Sequence, residues 1–160
     1  IDYYVSINMD GLVDLIDELG TIKVDNDIAW NDGTYDFPTG VIELDGEKAK
    51  AYVRMRKKDP RGDFGRTERQ RKVIEGIIQE GASLSSVTKV TGVMGVFGDN
   101  MSTNMDFDAM KILFSDYRET RRSVTQYMLE GKGQKIDGVY YLIVPDEEIQ
   151  KVHDMLTNFS

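Results

Sequence analysis

Leu44-Asp45-Gly46-Glu47-Lys48-Ala49-Lys50-Ala51-Tyr52-Val53-Arg54-Met55-Arg56-Lys57-Lys58-Asp59-Pro60-Arg61-Gly62-Asp63-Phe64-Gly65-Arg66-Thr67-Glu68-Arg69-Gln70 is the stretch on which the fold turns. Its spacing predicts a helix over Asp45 to Val53, with Ala49, Tyr52 and Val53 on one side. A basic loop follows, then a helix from about Phe64 to Gln79 that buries Val73, Ile74, Ile77 and Ile78. Residues 54 to 72 carry nine Lys or Arg against three Asp or Glu, on a chain whose formal net charge is -8. A positive island on an acidic protein points to a local anionic ligand rather than a long polyanion. The overall acidity argues against general nucleic-acid binding, which shows a basic domain.

Working outward, Tyr3, Val5, Ile7 and Met9 alternate as a strand, and Asp10 is placed to cap a helix carrying Leu12, Val13, Leu15, Ile16 and Leu19. Gly20 ends that helix, Thr21 to Val24 reads as a short strand, and residues 25 to 40 are rich in turn signals. Further helices are predicted over Ser83 to Met94 and Asp106 to Tyr117. Strands near Ser123 to Leu129 and Val139 to Val144 are joined by Gly131-Lys132-Gly133, and a last helix with Pro145 at its first position buries Ile149, Val152 and Leu156. This order predicts an α/β fold, a mixed central β-sheet flanked by helices, in a single domain over residues 1 to 160.

The chain has no cysteine and one histidine, His153, which excludes disulfides, thiolate metal sites, a cysteine nucleophile and a histidine-rich metal site. No window approaches the ~18 consecutive apolar residues of a membrane span. Because the first residues already lie in a strand pattern, the sequence reads as a piece of something longer.

Within the island, Arg54 and Arg56 point the same way on extended backbone and diverge on a helix. Arg66, Arg69 and Gln70 lie at helical spacing at the start of the next helix, where free N–H groups and positive potential make an anion site. Guanidinium forks match phosphate oxygens in bidentate fashion. The residues together read as a phosphate or pyrophosphate pocket built from a loop and a helix start. Plainer readings stay open beside it. Thr67-Glu68-Arg69-Gln70 fits a capping box, which makes Gln70 structural. Asp63 caps the helix, neutralises an Arg, or acts as a general base. Lys57, Lys58, Arg61, Arg71 and Lys72 read as solvated charge. Trp30 is either an exposed carbohydrate platform or a buried anchor. Met94, Phe97, Met101, Met105, Phe107, Met110 and Phe114 are either core or the lining of an apolar pocket.

The joint pattern of Leu44-Asp45-Gly46, Ala49, Tyr52, Arg54-x-Arg56 and Asp63-x-Gly65-Arg66-x-x-Arg69-Gln70 is similar to the second half of a LytR-CpsA-Psr (LCP) domain. Asp2-Tyr3-Tyr4-Val5 and Gly11 to Gly20 fit the strand and helix that precede it. The resemblance implies that residues 1 to 160 are the C-terminal part of an LCP catalytic domain, incomplete without its N-terminal half. It implies a phosphotransferase on the extracytoplasmic face of the cell membrane of a Gram-positive bacterium, held there by an N-terminal helix absent here. The implied reaction attaches an anionic glycopolymer, wall teichoic acid or capsular polysaccharide, from a polyprenyl-pyrophosphate carrier to peptidoglycan. Mg2+ is the implied cofactor, with ligands expected in the N-terminal half and none assignable in this chain. Residue by residue, the resemblance places the catalytic positions on Arg54, Arg56, Asp63, Arg66 and Gln70, and pyrophosphate binding on Arg54, Arg56, Arg66, Arg69 and Gln70. Residues 1 to 160 alone are expected to lack transferase activity. The alternative is a non-catalytic module that binds polyprenyl phosphate or another anionic ligand, in keeping with the historical label of transcriptional regulator, although nothing in the chain supports DNA binding.

Overall fold

The computed structural model describes residues 3–83, 95, 100–106, 108, 109, 112 and 127–158. Where composition predicts one domain, these residues pack as two units, Ile1–Ser123 and Val124–Ser160. Each is described by itself.

In the first unit, β1 (Val5–Ile7) pairs antiparallel with β6 (Met101–Thr103). Helix α1 (Met9–Leu19) follows, and it buries Leu12, Leu15, Ile16 and Leu19 as their spacing predicts. Its N-cap is Asn8 rather than Asp10: the Asn8 carboxamide oxygen accepts the Gly11 N–H at 2.7 Å. Asp10 instead sits in the first turn, where its charge complements the helix dipole. Strand β2 (Ile22–Asn26) alternates buried and exposed side chains and pairs antiparallel with β5 (Gly40–Leu44).

Between them, the turn-rich segment folds into β3 (Trp30–Asn31) and β4 (Asp36–Phe37). Asp32 closes this hairpin by accepting the N–H groups of Thr34 and Tyr35 at 2.8 and 2.7 Å. Trp30 stacks on Phe37 with ring centres 4.0 Å apart and is 7% exposed, so it is a buried anchor and not a carbohydrate platform. Asn26 is buried with its amide fully used. Its NH2 donates to the carbonyls of Ile28 and Pro38, and its oxygen accepts the Tyr52 hydroxyl.

Asp45 caps α2 (Gly46–Arg54) by accepting the Lys48 N–H at 2.8 Å. Ala49, Tyr52 and Val53 are buried, as predicted. Gly46 permits the close crossing of α1 and α2, since a Cβ there would lie 2.5 Å from the Val13 carbonyl oxygen. Helix α3 (Asp63–Ser83) starts one residue earlier than predicted and packs Val73 into the core. Because it starts at Asp63, Thr67 lies in its second turn, where its hydroxyl donates to the Asp63 carbonyl; the capping box is therefore not formed. Ile74 and Ile78, predicted to be buried, are 53% and 37% exposed. They lie on the face turned away from the Arg69–Val73–Ile77 row.

The helix predicted over Ser83 to Met94 lies almost wholly outside the described residues. Of that predicted over Asp106 to Tyr117, Asp108, Ala109 and Ile112 are helical and Asp106 is not.

In the second unit, β7 (Lys132–Ile136) and β8 (Val139–Ile143) form an antiparallel hairpin. The first strand therefore begins after the position predicted, and Met128 and Leu129 are not strand. The turn is Asp137-Gly138, with φ of 51° and 81°, the left-handed pair a two-residue hairpin needs. Pro145 is the N-cap of α4 (Asp146–Thr157) and lies just outside the helix. Ile149 and Leu156, predicted to be buried on α4, are 52% and 59% exposed. A two-stranded hairpin and one helix bury too little surface to cover that stripe.

The α/β class holds. Among the described residues, the predicted central sheet is realised as four two-stranded antiparallel ladders.

Candidate functional site

Arg54 is the last residue of α2, and Met55 breaks the helix with extended backbone, φ -60° and ψ 131°. The chain thus changes from helical to extended between the two arginines. Met55 turns its side chain inward and is 8% exposed, while Arg54 and Arg56 are exposed on either side of it. Both arginines border an open cavity of about 570 Å³, together with Lys50, Lys57, Lys58 and the aromatic wall of Trp30 and Tyr35. Asp32 and Glu47 also reach its rim. Lys58 is held there by donating to the Asn31 carbonyl.

The first turns of α3 approach the same arginines. One oxygen of Asp63 lies 3.3 Å from Arg56 Nε and 3.1 Å from Arg66 Nη2. Of the roles open to Asp63, this geometry fits neutralising and orienting arginines. Arg56, Asp63 and Arg66 are brought together at the surface, with side chains 62%, 55% and 39% exposed, so each remains open to a ligand. Gln70 is exposed on α3, two turns on from Asp63.

Arg69 differs from the other arginines of the pattern. Its side chain is 4% exposed, and its guanidinium donates to the Asp59 carboxylate and, at 2.6 Å, to the Met55 carbonyl. A side chain so enclosed is not presented to a ligand, so the expected pyrophosphate contact of Arg69 does not match its position. The helical spacing is right; the face is the inner one.

Asp59, to which sequence reasoning gave no role, is the centre of this arrangement. Its side chain is fully buried and accepts from Arg61 Nε and Nη2, each at 3.1 Å, from the Arg61 N–H at 2.8 Å, and from Arg69. These donors, Arg61 first, hold its carboxyl well below the usual carboxylate range against the opposing effect of burial. Asp59 in turn raises Arg61. A lone acid followed by Pro60 inside a basic run is the signal that could have found it.

Gly65, already part of the pattern, is explained by the same carboxylate: a Cβ there would fall 1.9 Å from Asp59 Oδ2. Two supposedly solvated cations are also engaged. Arg61 pairs with Glu68 at 2.6 Å, and Lys72 pairs with Asp27 at 2.7 Å, which lowers the Asp27 carboxyl.

Of the residues proposed for an apolar pocket, Met101 and Met105 are half-buried; Met94, Phe97, Phe107, Met110 and Phe114 lie outside the described residues. His153 lies on α4 and is exposed. Among the described residues, no three His, Cys, Asp or Glu side chains gather to hold a metal ion.

The sequence profile of the LytR_cpsA_psr family matches residues 1–158. An Enterococcus faecalis protein named polyisoprenyl-teichoic acid–peptidoglycan teichoic acid transferase TagU is 47% identical over 158 residues, which is 99% of this chain and 52% of that protein. A crystal structure of an Enterococcus faecalis protein described as a transcriptional regulator superposes with a TM-score of 0.87 at 38% identity, over 98% of this chain and 58% of that one. TagT bound to LIIa-WTA superposes with a TM-score of 0.76 at 29% identity, over 99% of this chain and 61% of that one. The chain thus spans about half the length of the curated relatives it matches, 52% of TagU from Halalkalibacterium halodurans and of its Enterococcus faecalis counterpart.

Proposed function

The chain belongs to the LytR_cpsA_psr family, and from that premise we propose that it forms the arginine-bearing part of a glycopolymer–peptidoglycan phosphotransferase. The donor is an anionic glycopolymer, wall teichoic acid or capsular polysaccharide, on a polyprenyl-pyrophosphate carrier. The acceptor is a peptidoglycan hydroxyl, and the reaction takes place on the extracytoplasmic face of the membrane. The names of the relatives support the teichoic acid branch of this reading. The observation that carries it is the presentation of Arg54 and Arg56 on either side of buried Met55, with Arg66 brought to Arg56 by their shared partner Asp63.

In the proposed reaction, the acceptor oxygen attacks the phosphorus nearest the glycopolymer. A new phosphodiester forms as the bond to the polyprenyl phosphate breaks, and that phosphate leaves with the bonding electrons while the proton of the acceptor hydroxyl passes to it or to water. Such transfers need charge neutralised on the phosphate oxygens and the reactants held in line. Arg54 and Arg56 clamp the pyrophosphate. Arg66 and Gln70 position its oxygens from the first turns of α3. Asp63 orients Arg56 and Arg66.

The described residues do not fit Mg2+. Asp59 and Asp63 are each engaged by two arginines, Asp32 by the N–H groups of Thr34 and Tyr35, and Glu47 by Lys50. No three such carboxylates gather to hold a metal ion among the described residues. The ligands of that ion, which would neutralise charge on the pyrophosphate when bound, therefore belong outside residues 1 to 160. Membrane attachment is likewise assigned elsewhere, since no helix among the described residues is long and apolar enough to cross a membrane.

The test is turnover of a lipid-linked substrate by the intact protein carrying Arg54→Ala or Arg56→Ala. Each change is expected to lower the rate ~10²–10³-fold, the cost of losing one preorganised donor to a developing oxyanion. Near-native turnover in both would remove the clamp. Retained polyprenyl-pyrophosphate binding without transfer in the unaltered protein would favour the non-catalytic module instead.

A further inference from the structure

We propose that Asp59 and Arg69 are positioning residues that aim Arg54 and Arg56, a role that deepens the phosphotransferase reading and rests on it. Arg69 donates at 2.6 Å to the carbonyl of Met55, the residue that separates the two arginines. That carbonyl stands at the C-cap of α2, where helical N–H partners have run out and negative potential collects. A buried guanidinium answers both needs. It also fixes the Met55–Arg56 peptide, and rotation of that peptide would swing Arg56 away from its set orientation relative to Arg54.

Arg69 is itself held by Asp59, whose carboxylate binds the loop through Arg61 and lies against Gly65 of α3. Asp59 further closes the loop by accepting the Gly62 N–H on its carbonyl at 3.0 Å. One carboxylate and one guanidinium thus join the end of α2, the basic loop and the start of α3. Those three pieces carry Arg54, Arg56, Asp63 and Arg66. The distance between the clamp and the α3 residues is set by this buried carboxylate–guanidinium pair.

Arg69→Lys tests this in the intact protein. Lysine keeps the charge but cannot fork to both Asp59 and Met55. The expected result is a kcat about 10-fold or more lower at unchanged circular dichroism, with weaker binding of inorganic pyrophosphate by titration calorimetry. In an Arg54→Ala, Arg56→Ala background the same change should cost less than about 2-fold, because a residue acting through that pair has nothing left to aim. Asp59→Asn is the second variant and should follow the same pattern should Arg69→Lys fail to fold. An equal loss in both backgrounds, or folded variants with native kcat, would overturn the positioning role while leaving the clamp intact. Undiminished kcat in the Arg54→Ala, Arg56→Ala protein would overturn the clamp and, with it, the role assigned here.

Discussion

Asp59→Ala is predicted to be among the most destabilising single changes in the basic loop. The Asp59 side chain is fully buried, and its partner Arg69 is 4% exposed. Removing the carboxylate leaves a buried guanidinium with only the Met55 carbonyl as a partner. Breaking one side of a buried pair costs about 3–5 kcal/mol. Arg61 adds little to this, since it is 37% exposed and keeps Glu68 at 2.6 Å. The loss is a large share of the ~5–15 kcal/mol that holds an ordinary domain together. Urea unfolding of the intact protein at pH 7 measures it, with an unchanged m-value guarding against an altered denatured state.

The pH dependence adds a second, sharper readout. Hydrogen bonds from Arg61, and then from Arg69, hold the Asp59 carboxyl below its ordinary range. A depressed carboxyl contributes its full stability above its unfolded pKa of about 3.9 and loses it as pH falls through the lower folded value. The gap between the native protein and Asp59→Ala should stay constant from about pH 8 to 5 and narrow only below about pH 4. A difference under about 1 kcal/mol at pH 7, the range of an exposed pair, would refute the reasoning. So would a gap that already closes between pH 7 and 5.

Three further outcomes follow from the same geometry. Gly46→Ala should destabilise by about 1–3 kcal/mol in urea unfolding, because the new Cβ would meet the Val13 carbonyl oxygen at 2.5 Å and force α1 and α2 apart. Tyr52→Phe should cost about 1 kcal/mol by removing the buried bond to Asn26. Burial pushes the Tyr52 hydroxyl up to about 12, so its stabilising effect is full below about pH 10 and is lost as pH rises toward that value, which alkaline absorbance titration can follow. Gly138→Ala, at φ 81°, should loosen the β7–β8 hairpin by about 1 kcal/mol, read as faster amide exchange at Val139 and Ile136.

Helix α2 was legible because everything that makes it is local: Asp45 caps it, and Ala49, Tyr52 and Val53 recur at helical spacing. Strand β2 was legible only in part, through Ile22 and Val24 within Thr21 to Val24. Its continuation to Asn26 falls in the segment read as turns, and its partner β5 was not legible as a strand because the pairing is made across that segment. The α1 cap was not legible. Asn8 and Asp10 are equally good caps by type, and Asn8 is held in place by a backbone bond to Asn100, 3.1 Å away and far along the chain. Strand β7 was missed because Lys132-Gly133-Gln134-Lys135-Ile136 has weak strand preference, while the stronger signal, Asp137-Gly138, lay just after it. Trp30 needed three separated segments to decide it, since Phe37 and Tyr52 both stack beside it.

The candidate site failed to be fully legible for a subtler reason, which α3 makes plain. Gly65, Arg69 and Val73 recur at every fourth residue and are all buried, and Ile77 continues the row half-buried. Asp63, Arg66 and Gln70 recur at three and four residues and lie on the more open side. One short run of charged residues therefore belongs to two faces of one helix. An arginine in the inner row reads as a ligand contact when only charge is counted, because burial of a guanidinium needs a partner that sequence spacing does not reveal. Here that partner is Asp59, ten residues earlier and across a turn. Once the two rows are separated, the pattern resolves into an outer set open to anions and an inner set that holds the outer set's backbone. The mutational consequences separate in the same way. Changes at Arg66 or Gln70 should alter turnover with little effect on unfolding, whereas changes at Gly65 or Arg69 should alter both. A Gly65→Ala protein with native stability and native turnover would break that division, since its Cβ has no room beside the Asp59 carboxylate.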